Sequence, residues 1–439
     1  MRRSLALTAA ALTVSAATIL APAPTTYGST GATSGAVPAC SGTHWISAWY
    51  AAPGDALLSQ PPVEQTLRIQ VRPLASGTSA RFRLSNRFGM GPVTFGHATV
   101  GLQATGAAIQ AGTLHTVTFG GSPKVTVPQG QDIVSDPVPI TVKRFQRLLV
   151  SVHVVGSPGP ATQHGISEQT TWQTAPLTGN HTAQLGAQGF FATPLLKAAP
   201  TLPQSIPYLT GVDVTAPKAT GAVVTMGDSI TDGTEAEVVP FLLSKDNIDQ
   251  FVSYPDQLAN RISSAGLPFS VANAAISGNM LLKNSPIPIF GPAGLSRFGL
   301  DALDRSGATT VILLEGTNDI GMYGASRDAM VAGYTQAIEA AHARGLRILI
   351  GTLTPMAGTL QPPFYGALAE PTRVAINAWI RGQKLADGIV DFDKAVRDPA
   401  QPARILPAYD GGDHLHFSAA GYKAMAAAVP LASLKRATC

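Results

Sequence analysis

Ser229 stands at a position where a nucleophile could act. A mostly apolar or β-branched run, 222–226, leads into Gly227 and Asp228 directly before it. Such a run, ended by a glycine, predicts a buried strand of a parallel sheet. Open α/β sheets bind their ligands at the carboxyl ends of the strands, where this serine would lie. The alternative is a structural role, because Asp and Ser are also the usual caps of a following helix.

Three later segments contain polar residues that could complete a site. Residues 273–279 and 315–319 each follow a predicted strand at its carboxyl end, and 410–418 precedes the last predicted helix. Because the first two share a sheet edge with Ser229, donors for an oxyanion, a base and an orienting carboxylate could meet there. These are the groups that acyl transfer requires.

The segment before the last helix also suits a metal site. His414 and His416 stand close to Asp410 and Asp413, and all four are ligand types for zinc. However, the sequence has neither an HExxH motif nor a cysteine ligand set, and ligands at i and i+2 need partners elsewhere. We therefore predict no metal and no other cofactor, and we assign His414 to the loop or to a supporting position.

The elements that must position these residues alternate between strand and helix from Gly221 onward. Strands are predicted at 269–273, 309–314, 346–353 and 388–392. Helices are predicted from Ser253 to Gly266 and at 326–343, 370–386 and 418–434. This alternation predicts a parallel sheet with helices on both faces.

Residues 40–216 follow a different pattern. Polar and apolar residues alternate with period two at 65–72 and 80–84, as in half-buried antiparallel strands. Short strands separated by Gly, Pro, Asn and Ser clusters predict an all-β sandwich of jelly-roll kind. Trp45, Trp49 and Tyr50 gather at its start, where they would either pack in the core or form a platform that stacks on sugars.

The first residues predict export. Residues 1–23 combine a basic start, an apolar alanine-rich run and small residues, which is the layout of a secretory signal peptide. Residues 24–39 are rich in Thr, Ser, Gly, Ala and Pro and predict a flexible lead-in. We therefore expect a protein secreted to the extracellular or periplasmic space. No later stretch is long and apolar enough to insert stably in a membrane.

Composition narrows the class of partner. The 439 residues are 45% hydrophobic and 13% charged, which supports a well-packed globular protein. The net charge is +4, but its lysines and arginines are dispersed, so we expect no nucleic-acid partner. We expect a monomer.

The sequence has two cysteines, Cys40 and Cys439, at the start of the predicted folded part and at its last residue. In an exported protein two cysteines more often pair than stay free. Because domain termini often lie close together, we predict a disulfide that joins them. The alternative is two free surface thiols.

The segments that carry the chemistry resemble the four blocks of the SGNH (GDSL-type) hydrolase superfamily, in order. The matching residues are 227–231, 278–279, 316–319 and 413–416. The resemblance covers 221–439, for which it implies a three-layer, flavodoxin-like α/β domain that follows a linker at 217–220. Residues 40–216 are similar to the β-sandwich that precedes this domain in a subgroup of exported bacterial GDSL-type esterases.

The resemblance also implies a role for each matching residue. Ser229 would be the nucleophile, His416 the base and later the acid, and Asp413 the carboxylate that orients the ring. The oxyanion would be held by the N–H groups of Ser229 and Gly278 and by the side-chain amide of Asn318.

Taken together, these features predict a secreted serine esterase that hydrolyses carboxylic esters through an acyl-enzyme. Its substrate would be a small-molecule or polymeric ester, either an acyl lipid or an acetylated polysaccharide, with carbohydrate or cell-envelope contact through the sandwich. The alternative function is a carbohydrate- or envelope-binding protein with secondary or no hydrolase activity.

The pairing of Cys40 with Cys439 predicts a simple result. Denatured protein that has not been reduced should show no free thiol in a thiol titration, and reduction should release both thiols. Two free thiols before reduction would contradict the pairing.

Overall fold

The computed structural model describes residues 41–192, 194–196, 199–234, 237–239, 242–243, 248–360 and 366–437. The predicted signal peptide at 1–23, the lead-in at 24–39 and both cysteines lie outside the described residues. The described residues, from 41 onward, belong to one compact unit. Below, residues 41–216 are called the N-terminal part and residues 221–437 the C-terminal part.

The N-terminal part is rich in strands, as the sequence predicted. The strands are β1 Thr43–Tyr50, β2 Gln65–Val71, β3 Ala80–Ser85, β4 Val93–Thr105, β5 Ala108–Ile109, β6 His115–Val117, β7 Val125–Val127, β8 Asp132–Val134, β9 Leu148–Val154, β10 Gln163–Ser167, β11 Thr171–Gln173, β12 Phe191–Ala192, β13 Pro194–Leu196, β14 Ala199–Pro207 and β15 Leu209–Pro217.

These strands form antiparallel sheets with long-range pairing. One sheet has the order β1-β15-β3-β8, and a second has the order β12-β11-β2-β9-β4-β5, with β6 and β7 also paired to β4. A third has the order β10-β14-β13. Because β1 pairs with β15, the two ends of the N-terminal part lie side by side. The sandwich arrangement of these sheets stays a prediction.

The prediction that β2 is half-buried was wrong, because all its residues are buried. Residues 178–188 cover the polar face of β2. On this face the Arg68 guanidinium donates to Ser151 Oγ at 2.9 Å, to the Ala107 carbonyl at 2.6 Å and to the Gln184 carbonyl at 2.7 Å. A buried cation is tolerated when its donors are satisfied in this way. Trp49 is buried as well, which favours the core over an exposed platform.

The C-terminal part alternates strands and helices. Its elements are β16 Gly221–Gly227, α1 Ser229–Asp232, β17 Glu237–Val239, β18 Leu242–Leu243, α2 Tyr254–Ser264, β19 Phe269–Asn273, α3 Gly294–Phe298, β20 Ala308–Leu314, α4 Thr317–Tyr323, α5 Arg327–Ala343, β21 Arg347–Gly351, α6 Gly366–Gly382, β22 Gly388–Val390, α7 Phe392–Val396 and α8 Ala419–Ala428. Single helical turns lie at Pro288–Phe290, Gly299–Leu303 and Leu431–Ser433.

Five of these strands form the predicted parallel sheet, in the order β19-β16-β20-β21-β22. Counted along the chain, this is the flavodoxin-like order 2-1-3-4-5. The chain passes from β16 to one neighbour, β19, and then crosses to the other, β20. The crevice at the carboxyl ends of β16 and β20 is therefore the switch point at which such sheets bind ligands.

Serine caps explain why three helices begin where the sequence predicted. The hydroxyls of Ser253, Ser326 and Ser418 each accept a hydrogen bond from the backbone N–H three residues on. The predicted end of the last helix was wrong, since α8 stops at Ala428, just before Pro430. Within the described part of the chain, no helix has both the length and the apolar character to cross a bilayer.

Buried polar contacts tie the N-terminal part to the C-terminal part. Strand β1 packs beside β19. The Tyr50 hydroxyl at the end of β1 donates to Asp301 Oδ1 at 2.7 Å, and Arg87 Nη1 donates to the same oxygen at 3.0 Å. The Asp301 side chain is fully buried, so both donors serve to satisfy its charge.

The Tyr50→Phe substitution should lower the free energy of unfolding by about 1–2 kcal/mol, because it removes a buried hydrogen bond to a charged group. Urea denaturation followed by tryptophan fluorescence measures this change. The control is Tyr323→Phe, since Tyr323 is only half-buried and contacts Lys283 through its ring face. Equal effects of the two substitutions would contradict the role of Tyr50.

Candidate active site

Ser229 is the first residue of α1 and follows β16 almost directly. The Asp228 carboxylate caps this helix by accepting the Ile230 N–H at 3.0 Å. The capping alternative therefore describes Asp228, while the Ser229 side chain stays available for chemistry. Gly227 is required at the turn, because a Cβ there would lie 2.2 Å from the Leu314 carbonyl oxygen.

The structure brings Ser229, His416 and Asp413 into one hydrogen-bonded chain. His416 Nε2 lies 2.8 Å from Ser229 Oγ, and His416 Nδ1 lies 2.7 Å from Asp413 Oδ2. Because an ionised carboxylate only accepts, Nδ1 carries the ring proton and Nε2 accepts from the serine hydroxyl. Asp413 and His416 are buried, whereas Ser229 is partly exposed.

Backbone contacts hold the aspartate and histidine in this geometry. Asp413 Oδ1 accepts the N–H groups of Leu415 at 3.0 Å and of His416 at 2.8 Å. The segment therefore folds as a turn, which lets residues at i and i+3 face each other, as their spacing predicted. Ser418 begins α8 two residues later, so His416 precedes the positive end of that helix.

Besides the Ser229 N–H, the predicted oxyanion donors lie on the loop after β19, which bears Gly278, and in the first turn of α4 after β20, which bears Asn318. Gly278 adopts φ +75°, and a Cβ there would lie 2.2 Å from the Phe290 ring, so only glycine fits. In the described part of the chain, neither the Ser229 nor the Gly278 N–H has a hydrogen-bond acceptor. Asn318 Nδ2 donates to the Asn279 carbonyl at 2.8 Å and lies 3.4 Å from Asp228 Oδ2.

A buried arginine that the sequence analysis missed supports these loops. Arg297 Nε and Nη2 donate to Asn279 Oδ1 at 2.9 and 2.8 Å, and Nη1 donates to the Ala274 carbonyl at 2.5 Å. The same guanidinium lies 3.9 Å from Glu315 Oε1. Nothing in the sequence around Arg297 indicates this supporting role, because its partners lie on other loops of the chain.

Two buried carboxyls behind the site have raised pKa values. Burial raises the pKa of Asp228 to about 7, although the Ile230 N–H and the charge of His416 oppose the shift. Burial also raises the pKa of Glu315 to about 8, with Arg297 opposing it and the Asp228 and Asp319 charges adding to it. Below about pH 8 Glu315 is therefore mainly neutral, which reduces the electrostatic cost of an acid with no exposed surface.

His414 does not join the catalytic chain. It adopts φ +61°, and its Nδ1 lies 2.5 Å from Asp410 Oδ2. Among the described residues, no group of His, Cys, Asp and Glu side chains could hold a metal ion. A metal site would require His414 and His416 to face the same ion, but the two side chains contact different partners.

The GDSL-like lipase/acylhydrolase family matches residues 225–424, a range that contains every residue of this site. Residues 225–424 are a GDSL-like lipase/acylhydrolase domain. This confirms the resemblance found in the sequence, and the GDSL domain makes the chain an ester-bond hydrolase. The search among curated proteins finds no match.

Solved structures similar to the chain include an aryl esterase from M. smegmatis, with 17% identity and a TM-score of 0.38 over 48% of this chain and 96% of that one. A carbohydrate acetylesterase from Sinorhizobium meliloti has 16% identity and a TM-score of 0.38 over 47% and 95%. A family two carbohydrate esterase from Clostridium thermocellum, solved with cellohexaose, has 17% identity and a TM-score of 0.35 over 87% and 91%.

The raised pKa of Glu315 predicts how stability changes with pH. A carboxyl whose pKa is higher in the folded chain than in the unfolded chain, about 4.3, binds its proton more tightly when folded. Its contribution to the unfolding free energy is therefore fully present below the unfolded pKa of about 4.3 and is lost as the pH rises through the folded pKa of about 8. Relative to Glu315→Gln, the wild type should lose stability across this window.

Urea denaturation of both proteins at several pH values between 4 and 9 measures this difference. Glu339→Gln on α5 is the control for loss of a glutamate, because Glu339 is exposed. If the difference in unfolding free energy between the wild type and Glu315→Gln does not change with pH, the raised pKa of Glu315 is contradicted.

Proposed function

We propose that the chain is a secreted serine esterase that hydrolyses carboxylic esters through an acyl-enzyme formed on Ser229. The observation that carries the proposal is the hydrogen-bonded chain from Asp413 through His416 to Ser229 at the switch point of the sheet. A serine, a base and an orienting carboxylate in this arrangement are the parts that acyl transfer needs.

In the first half-reaction, Ser229 Oγ attacks the ester carbonyl carbon while His416 Nε2 takes the hydroxyl proton. The C=O electron pair moves to the oxygen, which becomes the oxyanion of a tetrahedral intermediate. When the pair returns, the bond to the alcohol oxygen breaks and His416 gives its proton to that oxygen. The alcohol leaves, and the acyl group stays on Ser229.

The second half-reaction repeats these steps with water. His416 takes a proton from water while the water oxygen attacks the acyl carbon. It then gives a proton to Ser229 Oγ as the carboxylic acid leaves. Throughout, the Asp413 carboxylate keeps the Nδ1 proton directed away from Ser229 and stabilises the charged ring.

The oxyanion would accept hydrogen bonds from the backbone N–H groups of Ser229 and Gly278 and from the Asn318 side chain. The two backbone donors have no acceptor among the described residues, so they are ready to bind charge. Asn318 can contribute the amide hydrogen that faces Asp228 at 3.4 Å, because its other hydrogen is held by the Asn279 carbonyl. Each such donor is typically worth about 10²–10³ in rate.

Polar residues in a cavity beside the loop 410–414 favour an ester of a hydroxyl-rich alcohol, such as an acetylated polysaccharide, over an acyl lipid. The cavity is lined by Asp398, Gln401, Arg404, Asp410 and His414 together with apolar residues such as Ile405 and Pro407. Polar side chains of this kind can exchange hydrogen bonds with sugar hydroxyls. The predicted β-sandwich of the N-terminal part would add carbohydrate or cell-envelope contact. The signal-peptide pattern at 1–23 supports secretion.

Replacing the nucleophile tests the mechanism. The Ser229→Ala variant should lose turnover of p-nitrophenyl acetate by about 10⁴-fold or more, because the covalent step needs the hydroxyl. The assay should also include long-chain acyl esters and acetylated xylan, and the wild type should release acetate from xylan faster than it cleaves long acyl chains.

The matched control is Ser263→Ala, since Ser263 is exposed on α2 and should keep full activity. Full turnover by Ser229→Ala would overturn the mechanism and would favour a binding protein with incidental activity. Preference for long acyl chains would overturn the polysaccharide assignment alone.

A further inference from the structure

Strand β10 of the N-terminal part reaches the loop that bears Gly278. His164 on this strand is buried, and its Nε2 lies 3.4 Å from Oδ1 of Asp232, the last residue of α1. The second oxygen of the same carboxylate, Oδ2, accepts the Ser277 N–H at 3.1 Å and the Ser277 hydroxyl at 2.8 Å. Ser277 directly precedes Gly278.

Both nitrogens of the His164 ring face acceptors. Nδ1 lies 2.9 Å from the Ala52 carbonyl oxygen, which cannot donate, and Nε2 faces the Asp232 carboxylate. A doubly protonated ring, which carries a positive charge, donates from both nitrogens. Burial by itself lowers the pKa of His164, but the Asp232 charge and the hydrogen bonds to Asp232 and Ala52 together raise it above its usual value.

A second contact from β10 supports the other side of the same loop. A Cβ on Gly165 would lie 2.4 Å from Ile289 Cγ1, so the strand packs directly against that side chain. The adjacent Phe290 ring in turn occupies the space beside Gly278. The loop around Gly278 is therefore held between two contacts that both begin on β10.

We propose that His164 is a positioning residue for the esterase reaction, which it serves by holding Asp232, and through it the Ser277–Gly278 peptide, so that the Gly278 N–H faces the oxyanion. The inference rests on the proposed function. It makes the N-terminal part a component of the active site and not only a neighbouring module.

The residue types fit this role. The Asp232 carboxylate is partly buried and accepts two hydrogen bonds from Ser277, and a positive charge beside it strengthens this arrangement. A protonated His164 supplies that charge from a strand anchored to Ala52 through its other ring nitrogen. Thr234 Oγ1 lies 3.1 Å from Ser277 Oγ and completes the polar contacts of the loop.

Two substitutions of His164 separate its two ring contacts. The amide nitrogen of Asn can replace Nδ1 and keep the Ala52 contact, whereas the longer Gln can place its amide near the Nε2 position and keep the contact with Asp232. We expect His164→Asn to lower kcat about tenfold with KM changed less than about twofold, because a displaced oxyanion donor weakens only the transition state. His164→Gln should retain more of the kcat.

The matched control is His153→Gln. His153 is another buried histidine, and its Nε2 lies 2.9 Å from Glu64 Oε1, a partner that also belongs to the N-terminal part. Its substitution should leave kcat within about twofold of the wild type. Ser277→Ala is the second test variant, since it removes a single hydroxyl from the chain of contacts and should lower kcat with KM unchanged.

All variants should be assayed with p-nitrophenyl acetate beside the wild type and Ser229→Ala, and their thermal midpoints should be compared. The proposal is overturned if His164→Asn and Ser277→Ala keep kcat within about twofold, or if His153→Gln loses as much as His164→Asn. In that outcome the proposed function stands as long as Ser229→Ala is inactive. Full activity of Ser229→Ala would instead overturn the proposed function, and this inference with it.

Discussion

The hydrogen bond between the Ser229 hydroxyl and the His416 ring joins two residues from opposite ends of the GDSL domain. It forms because each partner is fixed by a local contact of its own. Asp228 caps the helix that begins at Ser229, and Asp413 accepts the backbone N–H groups of Leu415 and His416. The rest of the sheet and its helices keep these two short segments at the same edge.

Burial of charge is the second constraint at this edge. Asp319 accepts the N–H groups of Leu281 and Leu282, at 2.9 and 3.0 Å, and Arg297 gathers Asn279 and two backbone carbonyls. These contacts hold the loop after β19, yet they place acids and an arginine where little water reaches them. A low dielectric makes each satisfied contact rigid and each unsatisfied one costly. Burial raises the pKa of Glu315 to about 8, which favours its neutral form at this edge.

The N-terminal part meets the same edge from outside. Its β1 strand packs beside β19, while β10 faces the loop around Gly278. The N-terminal part thus lies on one side of the carboxyl edge of the sheet. A cavity beside the loop 410–414 is lined by polar residues such as Arg404 and Asp410 and by apolar residues such as Ile405.

Local patterns in the sequence were enough to predict β16, β19 and β20 and the starts of three helices, because short-range periodicity and capping act within a few residues. The resemblance to the GDSL-type hydrolases assigned Ser229, Asp413, His416, Gly278 and Asn318 as candidate site residues. Tertiary structure alone decided the full burial of β2, the raised pKa of Glu315 and the contacts of Arg297 and His164. Each of these depends on groups far apart in the chain, whose approach depends on packing and charge burial and not on local pattern.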